Sequence, residues 1–272
     1  MQKLKRNERI GSMIKTLSDT PNKIYTLSSF SEKFDAAKST ISEDIEIAKK
    51  TLEHFGQGTL ETLTGAAGGV KYIPEYSKQS IREFVDQMCV QLSSQERILT
   101  GGFLYMLDVL CNPETVARMG EILAMWFYNK KVDFVVTVET KGIPVAMMAA
   151  RALNVPLLIA RRDMNITDGS LVTINYMTGS QHRIQTMSLS RRAVKQGRRA
   201  LIIDDFMKGG GTLKGLIDMM KEFSVAVAGV GVVMATKQPE RKLVSDYKSL
   251  MVLNNVDEIM GNIEIVPSKW VL

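Results

Sequence analysis

The chain has 272 residues, 45% hydrophobic and 24% charged, with a formal net charge of +6, the make-up of an ordinary globular protein long enough for two domains. No apolar run approaches the ~20 residues that span a bilayer. The basic start Met1-Gln2-Lys3-Leu4-Lys5-Arg6 has no apolar stretch behind it, so membrane and secretory readings are set aside and a cytoplasmic protein is expected. Cys89 and Cys111 each lie in apolar helical sequence, and with only two histidines they form neither a disulfide framework nor a metal site.

In chain order, Ile10, Met13, Ile14 and Leu17 recur at helical spacing over Asn7–Ser18, and Asp19-Thr20-Pro21-Asn22 stops that helix. A short second helix is expected from a Ser29-x-x-Glu32 capping box, with Phe30 and Phe34 inward. After the turn Asp35-Ala36-Ala37, a third helix begins at Lys38 and buries Ile41, Ile45, Ala48 and Leu52. Its other face carries Ser39, Thr40, Ser42, Glu43, Glu46, Lys49 and Lys50. Thr59–Thr64 and Val70–Ile73 read as strands around Gly65-Ala66-Ala67-Gly68-Gly69, which is the wing of a winged helix-turn-helix domain.

Residues 1–75 hold eleven Lys and Arg against ten Asp and Glu, so this domain is nearly neutral. That balance suits protein contacts, whereas the polar start of the third helix suits double-stranded DNA, which is the expected partner. Glu43 is placed to accept from a cytosine amino group. Lys38, Ser39, Thr40, Ser42 and Lys49 are placed for bases or phosphates, Lys5 and Arg6 as a basic arm with Lys3, and Gly69 and Lys71 for close approach at the wing.

Pro74-Glu75-Tyr76-Ser77 marks the boundary, giving domains 1–75 and 76–272. Helices follow from Lys78 (Ile81, Phe84, Val85, Met88) and over Pro113–Asn129 (Val116, Met119, Ile122, Leu123, Trp126). Strand–helix alternation then sets in, with strands at Asp133–Val138 and Pro156–Ala160 around a helix at Val145–Leu153. Alternation of this kind argues an α/β fold with a mostly parallel sheet and ligand loops at the strands' C-terminal ends. Glu139-Thr140-Lys141-Gly142 is such a loop, and its chemistry suits a pyrophosphate. Candidate strands Leu171–Tyr176 and Arg183–Ser188 form a hairpin placed to fold over a ligand. Residues 161–199 hold eight Lys and Arg against Asp163 and Asp168, which implies a polyanionic partner.

The most telling stretch is Leu201-Ile202-Ile203-Asp204-Asp205-Phe206-Met207-Lys208-Gly209-Gly210-Gly211-Thr212. A buried strand ends at two carboxylates, and a glycine run opens a helix with Leu213, Leu216, Ile217 and Met220 on one face. Free N–H groups at a glycine loop and helix start cradle a phosphate, while carboxylates accept from sugar hydroxyls or face a cation. The spacing is neither the Walker pattern nor Gly-x-Gly-x-x-Gly. It resembles the phosphoribosyl diphosphate (PRPP) signature of type I phosphoribosyltransferases.

Over essentially its full length the chain resembles the PurR family, the purine operon regulators of Gram-positive bacteria. The segments that carry the resemblance are Ser39-Thr40-Ile41-Ser42-Glu43-Asp44, Gly65–Pro74, Thr140-Lys141-Gly142-Ile143-Pro144 and the aspartate–glycine signature. The resemblance implies a winged helix fused to a type I phosphoribosyltransferase-like domain, a homodimer without transferase activity, and PRPP as effector, taken with Mg²⁺. By motif, Asp204 and Asp205 hold the ribose hydroxyls, Met207 through Thr212 wrap the 5′-phosphate, and Thr140, Lys141 and Gly142 take the pyrophosphate, with Phe206 a further effector-binding residue. Arg161 and Tyr105 are further pocket candidates, with Phe103 after Gly101-Gly102. Lys208 departs from the small or hydroxyl residue common in the enzymes and adds a charge beside the phosphate. Two alternatives remain at this level: a purine phosphoribosyltransferase with an appended regulatory domain, and a scaffold acting through the winged helix.

Overall fold

Apolar residues at helical spacing decide the N-terminal unit. Met13 and Leu17 of α1 (Arg6–Asp19), Phe30 and Phe34 of α2 (Leu27–Phe34), and Ile41, Ile45, Ala48 and Leu52 of α3 (Lys38–His54) share one core. Leu60 and Val70 close that core from β1 (Thr59–Leu63) and β2 (Gly69–Ile73), an antiparallel hairpin with Thr59 opposite Ile73. Tyr25 adds a bridge to Val70, completing the winged helix. These features come from a computed structural model that describes residues 4–65, 68–162, 169–177 and 184–271.

One boundary differs from the sequence expectation. The α2 N-cap is Thr26, whose side chain accepts from the Ser29 N–H at 3.1 Å, so the box at Ser29 and Glu32 does not form. Leu27 packs against the core and draws the preceding turn into the helix. Asp35, at φ +47°, turns the chain into α3.

The chain divides into two compact units, Met1–Ser77 with Arg151–Asn154, and Lys78–Ala150 with Val155–Leu272. The second unit opens with α4 (Lys78–Leu92), the small hairpin β3 (Ile98–Leu99) and β4 (Phe103–Leu104), α5 (Leu107–Leu110) and α6 (Pro113–Met125). Then come β5 (Phe134–Val138), α7 (Ile143–Leu153), β6 (Leu157–Ala160), and the hairpin β7 (Leu171–Met177) and β8 (Ile184–Ser190). The chain finishes with β9 (Arg199–Met207), α8 (Gly211–Glu222), β10 (Ala226–Thr236), β11 (Lys248–Asp257) and β12 (Asn262–Pro267). The main sheet runs β12-β11-β10-β9-β5-β6, parallel except for β12.

Strand alternation puts different helices on the two faces of this sheet. Val230 and Val232 of β10 pack with Leu213, Leu216 and Met220 of α8. A Cβ at Gly229 would meet the Phe127 ring, just past α6, and one at Gly231 would meet Ile203 and then Leu123 of α6, so these glycines let that helix sit close on the opposite face. The hairpin β7–β8 is its own two-stranded sheet, packed on α8 through Tyr176 and Met187 against Gly215. The loop expected to close over a ligand, 178–183, lies outside the described residues, as do Lys3, Ala66 and Ala67.

Helix α6 stops at Met125 rather than at Asn129. Trp126, Phe127 and Tyr128 lead into a short 3₁₀ turn that ends at Lys131 with φ +51°, because Phe127 is drawn down onto β10. Strand β9 runs through both aspartates to Met207, held by parallel pairing of Asp204 with Val232 and Met207 with Ala235. Among the described residues no helix is long and apolar enough to cross a membrane.

Candidate functional site

Leu201, Ile202 and Ile203 are fully buried and anchor β9, so the strand's end presents Asp204 and Asp205 at a fixed position on the C-terminal edge of the parallel sheet. Lys208, Gly209 and Gly210 form the loop into α8. Gly210 is the N-cap at φ +81°, a conformation glycine adopts without strain, and no side chain caps the helix start. The loop's carbonyls are engaged elsewhere. The Lys242 ammonium donates to the Lys208 carbonyl at 2.9 Å, and the Leu243 N–H donates to the Gly209 carbonyl at 2.9 Å. The loop's N–H groups and the positive helix end are thereby left for an anion.

The acidic pair is unequal. Asp204 is buried, and that burial, followed by the charge of Asp205, holds its carboxyl well above the usual value of 3.8. Burial raises Asp205 too, but a hydrogen bond from Asp204 and the positive Lys141 oppose the rise. The rise is stronger at Asp204, whose Oδ1 accepts from the Asp205 N–H at 3.0 Å.

Gly142, which opens α7, sits directly over this pair: an added Cβ would lie 2.5 Å from Asp204 Oδ1 and 2.6 Å from Thr137 Oγ1. Both neighbours are buried and have no room to move. Gly142→Ala is expected to cost about 1–3 kcal/mol by overpacking, read as a lower urea midpoint. The Glu139–Thr140 peptide before it is cis, and Glu139 Oε1 accepts from the Arg162 N–H at 2.5 Å.

A cleft of about 490 Å³ lies at this edge. Of the residues singled out in the sequence, Phe103 with Gly101 and Gly102, Lys141, Asp205, Phe206 and Lys208 line it. Gly142, Asp204, Gly209, Gly210 and Gly211 lie buried beneath, Thr212 is half-buried, and Thr140 is exposed. Met207 points into the core rather than toward a ligand, being 1% exposed among α8 residues and Val244. Arg161 pairs through its backbone with Ser188 and lines a different cavity of about 250 Å³. Tyr105 does not line the cleft: its backbone exchanges hydrogen bonds with Arg97, and its neighbours Phe103, Leu104 and Met106 form the wall instead. Thr236, Gln238, Leu253, Asn254, Asn255 and Val256 complete the wall from the ends of β10 and β11, none of them anticipated. The strand-end rule that flagged Asp204 would have flagged these had it been extended past residue 222.

On the N-terminal unit, Lys38, Ser39 and Ser42 are exposed at the start of α3, and Thr40 and Lys49 are half-buried. Lys5 is exposed and its N–H donates to Glu8 Oε2 at 2.6 Å. Arg6 and Glu43 are joined, Nη2 to Oε2 at 2.7 Å. Lys71 lies within β2, 3.1 Å from Glu61 and 3.3 Å from Asn22 Oδ1, and Gly69 is buried against the Tyr25 carbonyl. Gly69 pairs with Leu63 next to the wing's turn, and Lys71 sits mid-strand opposite Glu61.

Comparison with known proteins agrees with this division. Residues 5–74 match the bacterial purine repressor N-terminal domain, and residues 110–267 match the phosphoribosyl transferase domain. The purine biosynthesis transcriptional repressor PurR of Bacillus subtilis is 45% identical over 97% of this chain and 92% of its own. The purine biosynthesis transcriptional activator PurR of Lactococcus lactis is 37% identical over 96% of this chain and 97% of its own. Among solved structures, adenine phosphoribosyltransferase from Thermoanaerobacter pseudethanolicus shares the fold, with a TM-score of 0.52 at 17% identity, over 61% of this chain and 98% of that one.

Proposed function

We propose that this chain, which belongs to the PurR family of purine biosynthesis transcriptional regulators, binds operator DNA of purine genes through its winged helix and senses PRPP in the cleft at β9 and α8. The observation that carries the reading is the uncapped glycine loop beside a paired carboxylate, in a chain whose other unit is a winged helix. The loop from Lys208 to Thr212 takes the 5′-phosphate, Asp204 and Asp205 take the ribose hydroxyls, and Thr140, Lys141 and Gly142 take the pyrophosphate. Magnesium bound with the ligand would neutralise pyrophosphate charge, and Asp205, the carboxylate that lines the cleft, would face it. Domains 1–75 and 76–272 are the reading and sensing parts of a cytoplasmic homodimer.

The near full-length relatives are named regulators rather than transferases, so the transferase fold serves here as a sensor. A ligand that binds one state better shifts DNA affinity, and DNA shifts ligand affinity by the same factor. Relatives named repressor and activator share this architecture, so promoter geometry sets the sign of the output. The test is a titration of purine-gene operator DNA with and without Mg·PRPP, together with a search for nucleotide made from PRPP and each purine base. A shift in DNA affinity of about tenfold, equal to ~1.4 kcal/mol, with no nucleotide formed is the expected result. An unchanged affinity, or steady turnover, overturns the reading.

A further inference from the structure

Beside the start of the recognition helix, Arg6 of α1 is already engaged by two carboxylates of α3. Arg6 Nη2 lies 2.7 Å from Glu43 Oε2, and Arg6 Nε lies 3.3 Å from Asp44 Oδ1. Asp44 is fully buried and is held separately by Arg9, Nε to Oδ2 at 2.7 Å. Glu43 is exposed, and Arg6 is the ion-pair partner recorded for it among the described residues. Its neighbours on α3, Ser39, Ser42 and Glu46, are exposed as well, so the Glu43 carboxylate stands on the face that Lys38, Ser39 and Ser42 present.

A lone carboxylate on a surface that meets phosphates is repulsive, and like-charge juxtaposition is how interfaces reject partners. We infer that Arg6 is a positioning residue that masks Glu43, making the start of α3 acceptable to a phosphate backbone, and that neither Arg6 nor Glu43 contacts DNA in its own right. The inference rests on the proposed DNA face of α3. It reassigns two residues: Arg6 from part of a basic arm to charge mask, and Glu43 from base reader to masked charge. Arg6 suits the role because its guanidinium reaches both carboxylates at once. Asp44 keeps Arg9 when Arg6 is removed, so the helix stays seated.

The experiment compares operator binding by the full chain for Arg6→Ala, Glu43→Gln, the double variant and Lys38→Ala, each across a series of salt concentrations. Masking predicts binding about tenfold weaker for Arg6→Ala. It predicts wild-type or tighter binding for Glu43→Gln, and recovery of the double variant to within about threefold of wild type with an unchanged salt slope. A direct phosphate contact by Arg6 instead leaves the double variant as weak as Arg6→Ala, with the slope reduced by ~0.9 for the lost contact. A base contact by Glu43 makes Glu43→Gln weaker and relaxes specificity at one base pair. Either result overturns the inference. If neither Lys38→Ala nor Arg6→Ala weakens binding, the DNA face of α3 itself is misplaced, an outcome distinct from the failure of masking alone. Glu43→Gln alters an exposed side chain, so its result does not depend on a folding defect.

Discussion

Replacing Asp204 and Asp205 together by asparagine is expected to leave operator binding intact, to remove the response to PRPP, and to raise the stability of the protein at neutral pH. The first two effects follow from chemistry at the end of β9. Hydrogen bonds to charged acceptors are worth about 1.5–3 kcal/mol each, so losing two carboxylates that accept from ribose hydroxyls weakens PRPP binding by about 100-fold or more. Nothing in the winged helix changes. The third effect has a definite sign. Asp204 has its folded pKa raised above the unfolded value of 3.8 by burial and by Asp205, so in that range the folded state binds more protons than the unfolded one. Stability conferred by the protonated pair is therefore present below 3.8 and is lost as pH rises through the folded value. Asparagine does not titrate, and its Oδ1 still accepts from the residue 205 N–H. The gap in melting temperature between variant and wild type should widen as pH rises from the unfolded value of 3.8 through the raised folded value. A gain of ~1 kcal/mol corresponds to about 2–4 °C in a domain of this size. Ligand hydroxyls and Mg²⁺ favour the ionised pair, so PRPP affinity of the wild type should rise with pH over the same range. A gap that narrows with pH, or a variant that still responds to PRPP, removes the acid pair from the sensing role. Stability given up at Asp204 is then the cost of a poised sensor.

Much of this site was legible because its parts are local. The run 201–212 encodes strand, acids, glycine turn and helix start in consecutive residues, and Leu213, Leu216 and Met220 landed on the buried face as the spacing required. The recognition helix was legible for the same reason, since Ile41, Ile45, Ala48 and Leu52 form a single stripe. What escaped was tertiary. Lys242 is 34 residues from the carbonyl it holds at Lys208, and no periodicity announces such a brace. The ends of β10 and β11 reach the cleft only because the strand order places them beside β9. Tyr105 and Phe103 are two apart on one short segment, and only the hairpin's register shows that Phe103 is the one lining the cleft. Lys71 read as a free wing cation because Glu61, its cross-strand partner, becomes a neighbour only once β1 and β2 pair.

The Arg9–Asp44 pair carries the largest expected effect on stability, and it too was hidden by distance, the partners lying 35 positions apart in the chain. Arg9 is 8% exposed and depends on Asp44 and on the Leu4 carbonyl, which accepts from its Nη1 at 3.0 Å, while fully buried Asp44 has Arg9 at 2.7 Å and Arg6 at 3.3 Å. Removing one partner of a buried pair strands the other and costs about 3–5 kcal/mol. A small domain holds a total near the low end of about 5–15 kcal/mol, so Asp44→Ala is expected to leave the winged helix largely unfolded at 37 °C. DNA binding should then be lost while the PRPP binding proposed for the other unit persists. Replacing both partners, as Arg9→Met with Asp44→Leu, leaves no stranded charge and should recover most of the loss. Hydrogen exchange locates the effect without assuming that the whole chain unfolds in one step. In Asp44→Ala, amides of Ile45 and Ala48 should lose protection by orders of magnitude while those of Ile202 and Ile203 in β9 keep it; in the double replacement, protection in α3 should return. If Ala48 stays protected in Asp44→Ala, the helix is held by its apolar stripe alone. Uniform loss across both units would instead mean that they unfold as one.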